Sequence, residues 1–155
     1  MRKVYVDMDG TIARWNPEGN WKKTGYFLSC KPQKNLIEAI ARGTGYGLKF
    51  CILTKVHSAV AAAEKKEWLN AVGLGHIPFI AVPLNESKGA YVEDEESSFL
   101  LDDFGQNLHE WRGPSVKWYN AFNGNGGSIY PWSIDHSWDS NRILGKMIEI
   151  TSNAF

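Results

Sequence analysis

The sequence predicts an α/β fold built on a mostly parallel sheet, and three observations carry that expectation. Short apolar, β-branched runs alternate with helical stretches along the chain. Each run stops abruptly at a polar cluster. Hydrophobic residues make up 43% of the chain and charged residues 22%, too apolar a mixture for intrinsic disorder.

The elements follow in order. Lys3 to Val6 reads as a buried strand that ends in the turn Asp7-Met8-Asp9-Gly10. Residues 12–31 become polar and aromatic without sustained periodicity, as expected of a small cap inserted over a site. Pro32 to Ala41 carries apolar residues at 36, 37, 40 and 41 with Gly43 just beyond, the pattern of a helix. Leu48 to Leu53 is a second strand, stopping at Thr54 and Lys55. A helix is predicted over 57–72, with Trp68, Leu69 and Val72 on one face, His57 at its start and Gly73 and Gly75 closing it. Ile77 to Val82 forms a third strand, Asn85 to Gly89 a polar loop, and Ser98 to Leu101 a fourth strand running into Asp102 and Asp103. Beyond it come a short helix over 105–112, a strand over 116–122 and a loop over 123–127. A closing helix over 137–151 carries Ile143, Leu144, Met147 and Ile148. The 123–127 loop, followed by Tyr130, Trp132 and Trp138, could be a partner surface or an ordinary turn, and the turn is favoured.

With 155 residues the chain has the length of one domain, able to bury roughly 70% of its extended surface. We therefore expect a single folded domain over 1–155, its oligomeric state left open. Lys plus Arg equals Asp plus Glu at 17 each, so no positive excess points to a long nucleic acid or an anionic membrane. No apolar stretch approaches the roughly 20 residues of a spanning helix. Cys30 and Cys51 lack a Cys-x-x-Cys context and read as buried, reduced thiols, which makes the cytoplasm the expected location. His57, His76, His109 and His136 share no zinc-site spacing, and the glycines of 43–47 precede a strand where a dinucleotide fingerprint would follow one.

Chemistry is expected at the strand tips. Asp7 and Asp9 follow the first strand, Thr54 and Lys55 the second, Lys88 the third, and Asp102 and Asp103 the fourth. In a parallel sheet those tips share one edge, where ligands bind. Four carboxylates gathered there would repel one another, so a hard divalent cation with oxygen ligands is the natural neutraliser. Mg²⁺ fits, held by Asp7, the backbone carbonyl of Asp9 and one aspartate of the 102/103 pair, with open positions left for a substrate phosphate.

Taken together, Asp7-Met8-Asp9-Gly10-Thr11, the apolar run ending in Thr54, then Lys88, then Leu100-Leu101-Asp102-Asp103 resemble the four-motif signature of the haloacid-dehalogenase-like (HAD) hydrolases. Asp-Met-Asp-Gly-Thr with a short aromatic insertion, and the run from Asp102 to Trp111, are similar to the 5′(3′)-deoxyribonucleotidases and cytosolic C-type 5′-nucleotidases. The resemblance covers roughly residues 3–111 and implies a Rossmann-like domain with a small cap. It also implies a Mg²⁺-dependent phosphomonoester hydrolase. Asp7 would be the nucleophile, Asp9 the acid and base, Thr54 a hydroxyl donor to the phosphoryl group, and Lys88 its charge partner. Asp102 and Asp103 would complete the metal shell, one directly and one by orienting water or Lys88. Gly10 and Thr11 would line the phosphate site, Lys55 would steer phosphate, and Trp15, Trp21, Tyr26 and Phe27 would stack on a base or form the apolar underside of the insertion. The implied substrate is a small phosphate ester, foremost a (deoxy)nucleoside 5′-monophosphate. Alternatives are a sugar phosphate, the phosphorylated end of a nucleic acid, or a phosphate-binding module without catalysis.

Overall fold

The computed structural model describes residues 2–123 and 130–153. The elements in order are β1 (Val4–Val6), α1 (Tyr26–Ser29), α2 (Lys34–Gly45), β2 (Phe50–Val56), α3 (Ala59–Ala71), β3 (Phe79–Pro83), β4 (Phe99–Asp102), α4 (Gly105–Glu110), β5 (Ser115–Tyr119), β6 (Trp132–Asp135) and α5 (Ser140–Ser152). Two short 3₁₀ turns, Lys88–Tyr91 and Glu95–Ser97, join β3 to β4.

Six parallel strands make one sheet in the order β3-β2-β1-β4-β5-β6. The chain builds outward from β1 to β3, then returns to place β4 on the other side of β1. The reversal makes the C-terminal edge of β1 and β4 the switch point of the sheet, where the crevice for a ligand opens. Both faces are covered, which is why the strands read as apolar runs rather than as alternating patterns. Val4 and Val6 point to the face packed by Leu36 and Ile40 of α2 and by Ile143, Leu144 and Met147 of α5. Tyr5 points to the opposite face, with Cys51, Leu53, Leu100, Leu108 and Trp111. A parallel α/β sheet flanked by helices is thus the observed fold, as the sequence predicts. Among the described residues no helix is long and apolar enough to cross a membrane. Both Cys30 and Cys51 are buried free thiols.

Several elements differ from expectation. β2 continues through Thr54 and Lys55 to Val56, because β3 offers a ladder that pairs Thr54 with Ala81, Lys55 with Val82 and Val56 with Pro83. Helix α3 begins at Ala59, not His57: the Ser58 hydroxyl accepts from the Ala61 N–H at 3.1 Å and caps it. His57 instead meets the Trp21 ring edge-on. The stretch beyond the 123–127 loop, for which no element is predicted, contains β6, which pairs with β5 from Val116↔Trp132 to Tyr119↔Asp135. β5 ends at Tyr119, short of the expected Phe122. Of the expected 123–127 loop, residues 124–127 lie outside the described residues.

Ile134 is the fully buried residue of β6 and packs into the larger core. Ile134→Ala is expected to lower unfolding free energy by about 2–5 kcal/mol, the range for emptying a buried aliphatic site. Urea denaturation checks this, and a loss under about 1 kcal/mol would mean that β6 is not seated on the sheet.

Candidate active site

At the switch point three carboxylates converge. Asp7 leaves β1, Asp102 ends β4 and Asp103 follows it; each offers an oxygen within 4.8 Å of the others. Asp7 is 6% exposed and Asp102 fully buried. Lys88, itself 3% exposed, donates at 2.7 Å to Asp7 Oδ1 and at 2.7 Å to Asp102 Oδ2. Phe104 N–H donates to Asp102 Oδ1 at 2.9 Å and Asn107 Nδ2 to its Oδ2 at 3.1 Å. Thr11 Oγ1 lies 3.3 Å from Asp7 Oδ2 and 3.4 Å from Asp103 Oδ1, tying the turn after β1 to the loop after β4.

Gly10 is required by geometry twice over. Its φ is 80°, in the left-handed region, and a Cβ there would collide with the Asp103 carboxylate. The two-residue offset therefore lets the chain turn away immediately while Asp7 and Asp9 remain at one tip.

Electrostatics follow from burial and crowding. Burial pushes Asp103 up to about 9, reinforced by the Asp7 and Asp102 carboxylates. Asp102 rises to about 6 for the same reasons, Lys88 pulling the other way. Burial would lower Lys88, yet Asp102 and Asp7 together raise it, so it stays an ammonium. The set of three hard carboxylate oxygens, with one acid driven far above its ordinary range by burial and by its neighbours, fits a divalent cation such as Mg²⁺.

Asp9 stands beside this cluster and is held by a residue that the sequence reading passed over. Lys65, on α3 and with no solvent exposure, donates to Asp9 Oδ2 at 2.6 Å, to Thr54 Oγ1 at 2.8 Å and to the Lys55 carbonyl at 2.9 Å. All three N–H donors of the ammonium are used. Burial raises the Asp9 pKa and the Lys65 charge opposes the rise. Because an ammonium can only donate, Thr54 is an acceptor toward Lys65 and its own hydrogen is left for another partner. A signal was available: Ala61, Lys65, Trp68 and Leu69 share one face of α3, so a charged residue sits in an apolar stripe.

Asn120 and Lys117 were also missed. Asn120 Nδ2 donates to the Gly10 carbonyl at 2.9 Å and to Asp103 Oδ2 at 3.1 Å, and Lys117 Nζ donates to the Asp103 carbonyl at 2.5 Å. Only their positions within β5 and just beyond its end bring them here.

Of the expected base-stacking aromatics, Trp15 is exposed at 36% and lines a cavity of about 580 Å³ that reaches Gly10. Tyr26 and Phe27 are buried in the core, so neither offers a ring face to a ligand. Trp21 is half-buried against the same core. The insertion between β1 and α2 uses its own apolar residues to stay down. The half-buried Lys55 contributes its carbonyl to Lys65.

No family model and no curated protein sequence matches the chain. In three dimensions it is similar to a protein described as a HAD-like phosphatase from Mesorhizobium loti, with a TM-score of 0.65 and 13% identity over 98% of this chain and 87% of that one. It is similar also to D,D-heptose 1,7-bisphosphate phosphatase from Burkholderia thailandensis, with a TM-score of 0.62 and 14% identity over 99% of this chain and 100% of that one. A chain of the Pnkp1/Rnl/Hen1 RNA repair complex matches with a TM-score of 0.59 and 16% identity over 75% of this chain, which spans 42% of that chain's length. The fold is that of HAD-like phosphatases.

A carboxyl whose pKa is raised by folding stabilises the native state through its protonated form. For Asp103 that contribution is complete below 3.8 and lost as pH climbs toward about 9. A bound cation would replace the proton. The rise in melting temperature caused by Mg²⁺ over chelator is therefore expected to grow from pH 5 to pH 8. Thermal unfolding measures it, and an effect that is absent or flat with pH would remove the metal assignment.

Proposed function

We propose that this protein is a Mg²⁺-dependent phosphomonoester hydrolase working through an aspartyl-phosphate on Asp7, with nucleoside and deoxynucleoside 5′-monophosphates as its substrates. The observation that carries the reading is the buried Lys88 bridging Asp7 and Asp102 at 2.7 Å each, with the Asp103 oxygen alongside. A nucleophile, a fixed cation and a hard-metal ligand set at one sheet edge are the parts that phosphoryl transfer requires. The fold shared with HAD-like phosphatases supports the same class.

Lys88 on Oδ1 and Thr11 near Oδ2 hold the Asp7 carboxylate for in-line attack on phosphorus. As the new Asp7–phosphorus bond forms, the ester P–O bond breaks and Asp9 gives its proton to the departing alkoxide. Its raised pKa suits that role, and Lys65 on Oδ2 leaves Oδ1 for the transfer. Asp9, now a carboxylate, takes a proton from water, whose oxygen attacks the aspartyl-phosphate; inorganic phosphate leaves and Asp7 is restored. Asp7, Asp102, Asp103 and the Asp9 carbonyl would hold Mg²⁺, which when bound would neutralise the charge gathered on the phosphoryl oxygens. Lys88 meets that charge from the other side, and the Thr54 hydrogen is available for a phosphoryl oxygen. The cavity beside Gly10, with Trp15 on its wall, has the volume for a nucleoside leaving group.

Phosphate release from nucleoside monophosphates, sugar phosphates and an aryl phosphate is expected to require Mg²⁺ and to vanish in Asp7→Asn. Turnover of sugar phosphates alone would overturn the nucleotidase reading, and inactivity throughout would overturn the enzyme. Lys65 is a positioning residue: Lys65→Met keeps the length of the side chain but releases Asp9 and Thr54. It should lower kcat on alkyl esters by about 10²-fold, within the range of a lost general acid. The loss should be smaller on an aryl phosphate, whose phenolate leaves without a proton. Equal losses on both esters would mean that Lys65 serves the fold only.

A further inference from the structure

We propose that the cavity beside the carboxylate cluster receives a second anionic group, so that the preferred substrate is a phosphomonoester whose sugar carries another phosphate. The inference rests on the phosphatase reading and adds a binding site to it.

Ala13 and Pro32 form an antiparallel bridge, and the Arg14 N–H donates to the Lys31 carbonyl at 2.7 Å. Arg14 and Lys31 are therefore directly opposite, with Cβ atoms about 5 Å apart on the same face, where two like charges repel. Both line the cavity. Among the described residues no ion pair joins either of them to a carboxylate. The whole chain is charge-neutral, so this pairing is local and not an overall bias. Glu18, exposed, is the one acidic side chain on the described wall.

Arg14 is also oriented. Its Nε donates at 3.2 Å to Oε1 of Gln33, which is 6% exposed and donates in turn to Asn35. That contact leaves the terminal nitrogens of the guanidinium for a ligand, in the fork geometry that suits phosphate. An anion between Arg14 and Lys31 would relieve their repulsion.

The cavity adjoins the carboxylate cluster through two shared residues. Gly10 and Asn120 lie on its wall, and Asn120 is the residue that bonds Asp103 and the Gly10 carbonyl. About 580 Å³ accommodates a sugar and base with a phosphate beyond them. Trp15 and Phe122, both exposed, supply ring surface on the same wall. The chemistry recognised is a phosphate a few bonds from the scissile one, carried either by a free nucleoside bisphosphate or by the first phosphodiester of an oligonucleotide end.

The test is equilibrium binding, with Mg²⁺, to the Asp7→Asn protein, comparing adenosine 3′,5′-bisphosphate, 5′-AMP and a 5′-phosphorylated dinucleotide. The second phosphate should tighten binding on the order of tenfold, about 1.4 kcal/mol, at low salt, with the gain shrinking as salt rises. Lys31→Gln and Arg14→Gln should each reduce the preference toward unity, and Lys31→Arg should keep it. Tighter binding of the dinucleotide than of the bisphosphate assigns the site to polynucleotide ends, and the reverse order to free nucleotides. Equal affinity for bisphosphate and 5′-AMP, or a preference that survives Lys31→Gln, overturns the proposal. Wild-type inactivity toward every phosphate ester in the panel would sink the phosphatase reading alone, since the binding preference is read without turnover.

Discussion

One buried ammonium governs this molecule. Lys88 sits between Asp7 and Asp102, and taking it out of water costs several kcal/mol that only close, paired carboxylates offset. Without it the tips of β1 and β4 would bring together carboxylates that cannot all ionise. Its own loop is fixed accordingly. A side chain at Gly89 would collide with the Glu95 carboxylate, and Glu95 is occupied by the backbone N–H and guanidinium of Arg112. The connection from β3 to β4 is thus locked at a second site so that Lys88 arrives at the first.

The same compensation recurs around the crevice with cations from different elements. Lys65 of α3 holds Asp9, and Lys117 of β5 reaches the Asp103 carbonyl. Buried lysines are rare in proteins because each must be fully partnered. Here each satisfies a group that the parallel sheet brings to its C-terminal edge, so the polar site is continuous with the core on which it rests. Arg14 and Lys31 differ in kind: exposed and directly opposed, they are cations that, among the described residues, no carboxylate pairs.

The insertion between β1 and α2 shows how a short segment with little regular structure can stay in place. Tyr26 and Phe27 enter the core, Trp68 Nε1 donates to the Cys30 carbonyl, and Glu64 accepts from the Gly25 N–H. Those anchors leave Trp15 and the Arg14–Lys31 pair on the outer side, facing the cavity next to Gly10. Aromatic residues that read alike in sequence therefore divide between support and surface.

By itself the sequence determined the parallel α/β class and the cluster of Asp7, Lys88, Asp102 and Asp103, because both follow from local signals. Apolar runs of strand length end at polar residues, and in a parallel sheet every such end lies on one edge. Only the tertiary structure decided the rest. β6 has one fully buried residue in four, too little for periodicity to register, and exists because β5 presents a free edge to pair with. Likewise β2 runs past Thr54 only because β3 pairs with it there. Lys65 and Asn120 reach Asp9 and Asp103 across 56 and 17 residues of chain. No spacing rule links such partners; the packing of α3 against β2 and the pairing of β5 with β4 bring them together. The opposition of Arg14 and Lys31 likewise arises from a single bridge between Ala13 and Pro32, a contact that neither segment announces on its own.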